Sequence, residues 1–222
     1  MPPRILASIR SVDPLRTGVD CERLLAAGVD GLHVDVADGL FVPELTVGPH
    51  VAAALAERTG ALVEVHLMVS RPEQYAPELA RAGVGRVSFH LEAERYPWRV
   101  CSLAASLGLE VGAAINPATP LDVLEPVLRA VDFVNLLTTE PDFAGERLLP
   151  GSAERIAAAR RLLPAGVRLE VDGGVNRGNA VALVDAGADD LVVGRALTET
   201  DDWAATLAEL RDLVGAGVDS LT

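Results

Sequence analysis

The chain has 222 residues, half of them hydrophobic, and a formal net charge of −13, so it has the bulk for a buried core and is a poor partner for nucleic acids or anionic membrane surfaces. All 19 basic residues are arginine, which excludes Schiff-base aldol chemistry, pyridoxal-phosphate chemistry and decarboxylation by a catalytic ammonium, since each needs a lysine. No stretch is apolar and long enough to span a membrane, Met1 opens no secretory pattern, and Cys21 and Cys101 read as packed thiols, so a cytoplasmic location is expected.

Short β-rich runs alternate with amphipathic segments along the whole chain. The first strand is predicted over Arg4–Ile9 and the first helix over Leu15–Ala27. Gly31–Val36 is followed by His50–Arg58, Leu62–His66 by Pro72–Ala82, and Arg86–His90 by Trp98–Leu107. Glu110–Ile115 precedes Leu121–Leu128, Phe133–Leu137 precedes Ala153–Leu163, Arg168–Val171 precedes Gly178–Ala186, and Leu191–Val193 precedes Trp203–Val214. Gly28, Gly83, Gly108 and Gly187 each stand just after a helix, where a left-handed cap is expected. Eight strand–helix units in this length match an α/β fold of the (β/α)8 type, a TIM barrel, with residues 1–222 as one domain. A doubly wound open sheet would need a GxGxxG turn after an early strand, and the chain has none.

In such a barrel the chemical groups belong at the C-terminal ends of the strands. Ser8, His33, Asp35, His66, His90, Asn116 and the run Asp172-Gly173-Gly174 all fall there. His33 and Asp35 are two apart on one strand, so both side chains face the same way. An imidazole and a carboxylate facing an interior lined mainly by aliphatics need a reason, and a divalent metal supplies one. His66 and Asp172 add a second imidazole and a second carboxylate, a set that suits zinc or another first-row ion such as iron, manganese or cobalt. Taken singly, each residue also has a plain structural reading, as a hydrogen-bonded histidine or a helix-capping aspartate.

At these residues the sequence resembles the ribulose-phosphate 3-epimerase family, almost from end to end. The matching pieces are Ala7-Ser8-Ile9, His33-Val34-Asp35-Val36 through Asp38-Gly39, Phe41-Val42-Pro43 and His66-Leu67-Met68. They continue with Phe89-His90-Leu91-Glu92, Asn116-Pro117 through Thr119-Pro120, and Val171-Asp172-Gly173-Gly174-Val175-Asn176. The resemblance implies a metal held by His33, Asp35, His66 and Asp172, with Asp35 and Asp172 as the acid–base pair. It implies inversion at C3 of a phosphorylated ketose through an enediolate, by default D-ribulose 5-phosphate to D-xylulose 5-phosphate of the pentose phosphate pathway. Ser8 and His66 would then contact substrate oxygens, and Met68 would pack against the enediolate and exclude water. A homo-oligomer is expected on the same ground.

The chain departs from the family pattern around the expected pocket. Ala37 and Leu137 stand where the family usually has methionine, and Ala37 leaves room for a larger substrate. The glycine-rich loop after strand six reads Asp142-Phe143-Ala144-Gly145-Glu146, so Gly145 is left to contact the phosphate beside two carboxylates that repel it. Gly194-Arg195 replaces a Gly-Ser pair. Arg195 either grips the phosphate, together with backbone groups at Gly173, Gly174 and Gly194, or pairs with Asp142 or Glu146. These changes keep two alternatives open: an epimerase for a hexulose or heptulose phosphate, or a barrel that binds a metabolite without turning it over. A lyase or aldolase using the same enediolate is a third. Among the remaining residues, His90 is expected to support the site or its loop, His50 to lie on the surface, Asp38 to fix the Asp-Gly turn, and Trp98 and Trp203 to anchor packing between barrel and helices.

Overall fold

The computed structural model of the chain describes residues 2–140 and 147–219, with side chains through residue 215. Eight parallel strands, β1 (Arg4–Ser8), β2 (Gly31–Ala37), β3 (Val63–Met68), β4 (Arg86–His90), β5 (Glu110–Ile115), β6 (Phe133–Leu137), β7 (Arg168–Asp172) and β8 (Asp190–Val193), close into a barrel in sequence order. The seam is β1 against β8, with Arg4 beside Asp190 and Ala7 beside Val193. Around it lie α1 (Thr17–Ala27), α2 (Pro49–Thr59), α3 (Ala76–Arg81), α4 (Pro97–Ser106), α5 (Ser152–Leu162), α6 (Ala180–Asp185), the short α7 (Arg195–Thr198) and α8 (Trp203–Asp219). The expected eight-unit barrel is therefore present, and Gly28, Gly83, Gly108 and Gly187 all take positive φ.

Two helical segments differ from expectation, for one reason. Leu121–Leu128 is reduced to a single 3-10 turn at Leu121–Leu124, and Pro72–Ala82 is split into a turn at Pro72–Gln74 and α3. Pro126 and Pro77 have no N–H to donate to the carbonyl four residues earlier, so neither helix can run through its predicted length.

Alternation along the strands separates two buried regions. Val34, Val65, Leu67, Val134, Leu136, Leu169 and Val171 face outward and pack with Leu24, Leu55, Leu79, Ile156 and Leu183 from the surrounding helices. The inner face overturns the expectation of an aliphatic lining. Glu64, His66, Arg86, Ser88, His90, Asn135, Glu170 and Asp190 all have no exposed surface, and Arg86 on β4 reaches Asp190 on β8 across the axis at 3.4 Å. Counting apolar residues per strand hid this, because period two sends one half of each strand to the helices and the other half to the axis.

At the base of the barrel the Asp190 carboxylate accepts hydrogen bonds from Arg4 Nε and Nη2, each at 2.8 Å. It also accepts from the Arg168 guanidinium, tying β7 and β1 to β8. Above this lies a tight contact between β5 and β6. A side chain on Gly112 would sit 2.4 Å from Cζ of the buried Phe133 ring, and that ring is itself covered by the Arg86 guanidinium, 3.8 Å from its centre.

Polar pins set the loops at the other end. The Asp38 carboxylate accepts from the Leu40 and Phe41 N–H groups, each at 2.9 Å, and from the Ser70 N–H and hydroxyl, each at 2.7 Å. The Asp-Gly turn is thus fixed as expected and is also fastened to the segment leaving β3. Glu92, just after β4, accepts from the Asn116 N–H at 2.7 Å, from the Thr119 hydroxyl and from His90 Nδ1 at 3.1 Å. Burial opposes the charge on Glu92, but His90 and these donors outweigh it and hold the carboxyl at about 2. Trp203 packs against the core as anticipated, whereas Trp98 is 49% exposed and only ties its N–H to the Pro126 carbonyl. His50 is exposed, and both thiols are free and buried.

Two outcomes are expected. Gly112→Ala should cost about 1–3 kcal/mol, the price of overpacking a closed core, read from urea denaturation; an unchanged midpoint would mean that Phe133 can move aside. For Glu92 the folded carboxyl lies at about 2, below its unfolded value of about 4.3. Its contribution is therefore complete above the unfolded value and is lost as pH falls toward 2. Glu92→Gln should make the fall in melting temperature between about pH 5 and 2.5 shallower; a slope equal to that of the unaltered chain would contradict the assignment.

Candidate metal centre

The C-terminal mouth of the barrel brings four predicted residues to one point. His33 and Asp35 come from β2, His66 from β3 and Asp172 from the last position of β7. Register puts Asp35 directly beside His66, and closure carries β7 round to face them. His33 Nε2 lies 3.2 Å from Asp35 Oδ1 and 3.4 Å from Asp172 Oδ2. His66 Nδ1 lies 3.2 Å and 3.3 Å from the same two oxygens. One ligand atom from each of the four residues falls within 4.8 Å of all the others.

That spacing can be tested against a metal. Ligands at about 2.05 Å around a tetrahedral ion stand about 3.3 Å apart, and the four nitrogen–oxygen separations run from 3.2 to 3.4 Å. Two imidazoles and two carboxylates are also the donor types such an ion takes. The residues fit.

Protonation gives the same picture. Burial opposes charge on His33, yet Asp172 and Asp35 raise its pKa well above the ordinary imidazole value. His66 is raised in the same way, against burial, by hydrogen bonds to both carboxylates. Burial would push the two aspartates up; His33 leads the reversal, holding Asp172 at about 2 and Asp35 lower still. The carboxylates thus favour protons on the two imidazole nitrogens that face them. A divalent cation would displace those protons, so binding should be coupled to pH.

Each histidine is backed on its far side. His33 Nδ1–H donates to Glu64 Oε1 at 3.0 Å. His66 Nε2 and His90 Nε2 are 2.9 Å apart, and His90 Nδ1 faces the Glu92 carboxylate, which can only accept. His90 Nδ1–H therefore donates to Glu92, its Nε2 accepts, and His66 Nε2–H is the donor. His66 Nδ1 is thereby left toward the carboxylate pair. The supporting role expected of His90 is what the geometry shows.

Above the four residues opens a cavity of about 210 Å3, bordered by Ser8, Met68, Leu137, Gly173, Gly174, Gly194 and Arg195. Ser8 Oγ donates to Asp35 Oδ2 at 3.4 Å. Gly173 and Gly174 have φ of +108° and +69°, and a side chain on Gly174 would meet the Leu148 backbone nitrogen at 2.6 Å. The backbone there turns as only glycine readily allows, at the border of the cavity. Gly145, Asp142 and Glu146 lie outside the described residues. Ala37 does not border the cavity. It packs with Val42 and Met68, and Phe41 covers the group.

Several residues at the site went unread in the sequence. Arg10, Ser11, Thr139 and Asn176 border the cavity, and Glu64, Arg86 and Glu170 lie directly beneath the ligands. For the last three a signal existed. Glu64 is two residues before His66, Glu170 two before Asp172, and Arg86 two before Ser88, so all share the inner face.

Comparison with known proteins follows the same lines. A sequence profile described as the ribulose-phosphate 3 epimerase family matches residues 4–198. The ribulose-phosphate 3-epimerase of Serratia marcescens is 38% identical over 203 residues, which cover 90% of this chain and 97% of that one. The ribulose-phosphate 3-epimerase of Escherichia coli K12 is 37% identical over 211 residues, covering 93% and 94%. Among solved structures, 3-hexulose-6-phosphate synthase from Salmonella typhimurium superposes with a TM-score of 0.75 over 96% of this chain and 99% of its own, at 16% identity. That likeness is one of fold. By profile and by identity along most of its length, the chain belongs to the ribulose-phosphate 3-epimerase family.

Proposed function

We propose that this chain epimerises C3 of a ketose phosphate, D-ribulose 5-phosphate in the first instance, with Asp35 and Asp172 as its acid–base pair. The observation that carries the reading is the placement of these two carboxylates. They come from β2 and β7, and each turns one oxygen to the same two imidazoles at the floor of an open cavity.

An ion held by His33, Asp35, His66 and Asp172, zinc on the donor set and spacing, would supply fixed positive charge against the negative charge that develops on the substrate oxygens. The remaining steps belong to side chains. Asp35 Oδ1 and Asp172 Oδ2 are committed to the imidazoles, so Asp35 Oδ2 and Asp172 Oδ1 are the atoms that move protons. One removes the proton at C3, and the other returns a proton to the opposite face. Ser8 Oγ, which donates to Asp35 Oδ2, holds that carboxylate and can pass its hydrogen bond to a substrate oxygen. Met68, buried beside Ala37 and Val42, presents a dry apolar wall to the enediolate.

The phosphate end is assigned to the backbone at Gly173 and Gly174, which borders the cavity, to Gly194 and Gly145, and to the Arg195 guanidinium. Arginine suits a phosphate dianion because two N–H groups can reach two oxygens at once. Ala37 packs against Val42 and Met68 and does not border the cavity, which favours a pentulose over a longer sugar. A homo-oligomer in the cytoplasm completes the reading, on the family likeness alone.

Deuterium exchange at C3 in heavy water tests the chemistry. Metal-loaded protein should label D-ribulose 5-phosphate, and a fully loaded protein that labels no ketose phosphate would sink the reading. His66→Ala should lose the metal and at least about a thousandfold in kcat, since a ligand and the orientation of Asp35 go together; retained metal would remove His66 from the set. Arg195→Met should raise KM about tenfold or more with a small change in kcat, as expected for a charge-assisted contact to a non-reacting phosphate. An unchanged KM would place Arg195 outside the anion site.

A further inference from the structure

Beneath the four ligands lies an arginine with no exposed surface. Arg86 Nη1 is 2.9 Å from Glu64 Oε2 and 3.6 Å from Glu170 Oε2. Its Nε is 3.2 Å from Glu110 Oε1 and its Nη2 is 3.4 Å from Asp190 Oδ2. Its face rests on the Phe133 ring at 3.8 Å. The guanidinium is therefore held by carboxylates from four other strands and by a ring from a fifth. The nearest carboxylate, Glu64, uses its other oxygen to accept from His33 Nδ1 at 3.0 Å.

From this arrangement we infer that Arg86 is a positioning residue for the metal centre, acting through Glu64 on His33. The inference rests on the proposed metal site and extends it by one residue. The reasoning is geometric. An imidazole can bind an ion only if its lone pair points at it, and that direction is set by the bond made at the other ring nitrogen. Here that bond ends on Glu64, and a carboxylate that accepts through one oxygen alone can turn about its long side chain. Arg86 holds the second oxygen in an ion pair at 2.9 Å and limits that freedom. The same Nη1 also lies against Glu170, so one guanidinium group fixes both carboxyls beneath the centre. A plain structural plug would need neither the 2.9 Å approach to Glu64 nor a carboxylate shared with a metal-facing histidine. The base of the barrel is already tied by Arg4 and Arg168 to Asp190.

Cobalt affinity of the whole protein, by competition with a chromogenic chelator and by the visible spectrum of bound Co2+, decides the matter. Protein that takes up no Co2+ when unaltered would overturn the metal site itself, separately from the role of Arg86. With binding established, Arg86→Met should raise the Co2+ dissociation constant tenfold or more and alter the spectrum. Glu64→Ala should do the same, and the double variant should be no worse than Glu64→Ala alone, because Arg86 works through Glu64. Arg86→Lys, which keeps the charge but not the fork, should recover part of the affinity. Arg168→Met, which breaks the same network away from Glu64, should lower the melting temperature and leave Co2+ affinity unchanged. Additive losses in the double variant, or an unchanged constant for Arg86→Met, would overturn the inference. Should Arg86→Met fail to fold, Arg86→Lys decides it. A constant several-fold above that of the unaltered protein supports the role, and an unchanged one rejects it.

Discussion

Closing eight parallel strands leaves every second side chain no destination but the barrel axis, and in this protein many of those side chains are charged. The apolar core therefore lies outside the sheet, between strands and helices, while the axis is a polar column. Its base is Asp190 with Arg4 and Arg168, its middle is Arg86 with Glu64 and Glu170, and its top is the four-residue centre. Buried charges are costly unless each is met by an opposite one. The order of the column from base to mouth follows from that requirement.

The balance along the column explains why its upper end suits a cation. Three arginines, Arg4, Arg86 and Arg168, face six carboxylates: Glu64, Glu110, Glu170, Asp190, Asp35 and Asp172. Burial and the neighbouring Glu64 push the Glu170 carboxyl well above its ordinary range, whereas Arg86 leads in holding Glu64 below its own against burial. The arginines stand at the base and middle, while at the mouth Asp35 and Asp172 are met by the imidazoles of His33 and His66. The charge and the ligands thus meet at the same height.

The sequence displayed the fold well because each strand is a compact run of β-formers bounded by turn residues, and the bounds of β4, β5 and β6 were readable to the residue. The ligands were readable for a related reason, since a histidine or aspartate at the end of such a run is conspicuous. Glu64, Arg86 and Glu170 were not, because a charged residue early in a strand looks like a solvent-facing position until closure turns that face inward. Hydrophobic spacing around Leu121 and Leu128 suggested a helix that Pro126 forbids, a case in which one missing N–H outweighs periodicity. Ala37 was read from side-chain size alone, yet Phe41, Val42 and Met68 decide what surrounds it. Such a contact depends on how the β2–α2 loop folds back, and no local pattern encodes it.

The ligands of the centre come from β2 and β3 near the start of the chain and from β7 near its end, with more than 100 residues between His66 and Asp172. An ion that binds all four is thus a clasp joining two distant parts of the polypeptide, comparable in topology to a long-range crosslink. Its binding energy is available only when the barrel is shut, so occupancy and closure of the β1–β8 seam are thermodynamically linked. An ion that equipped the site for chemistry would therefore also latch the architecture that presents it.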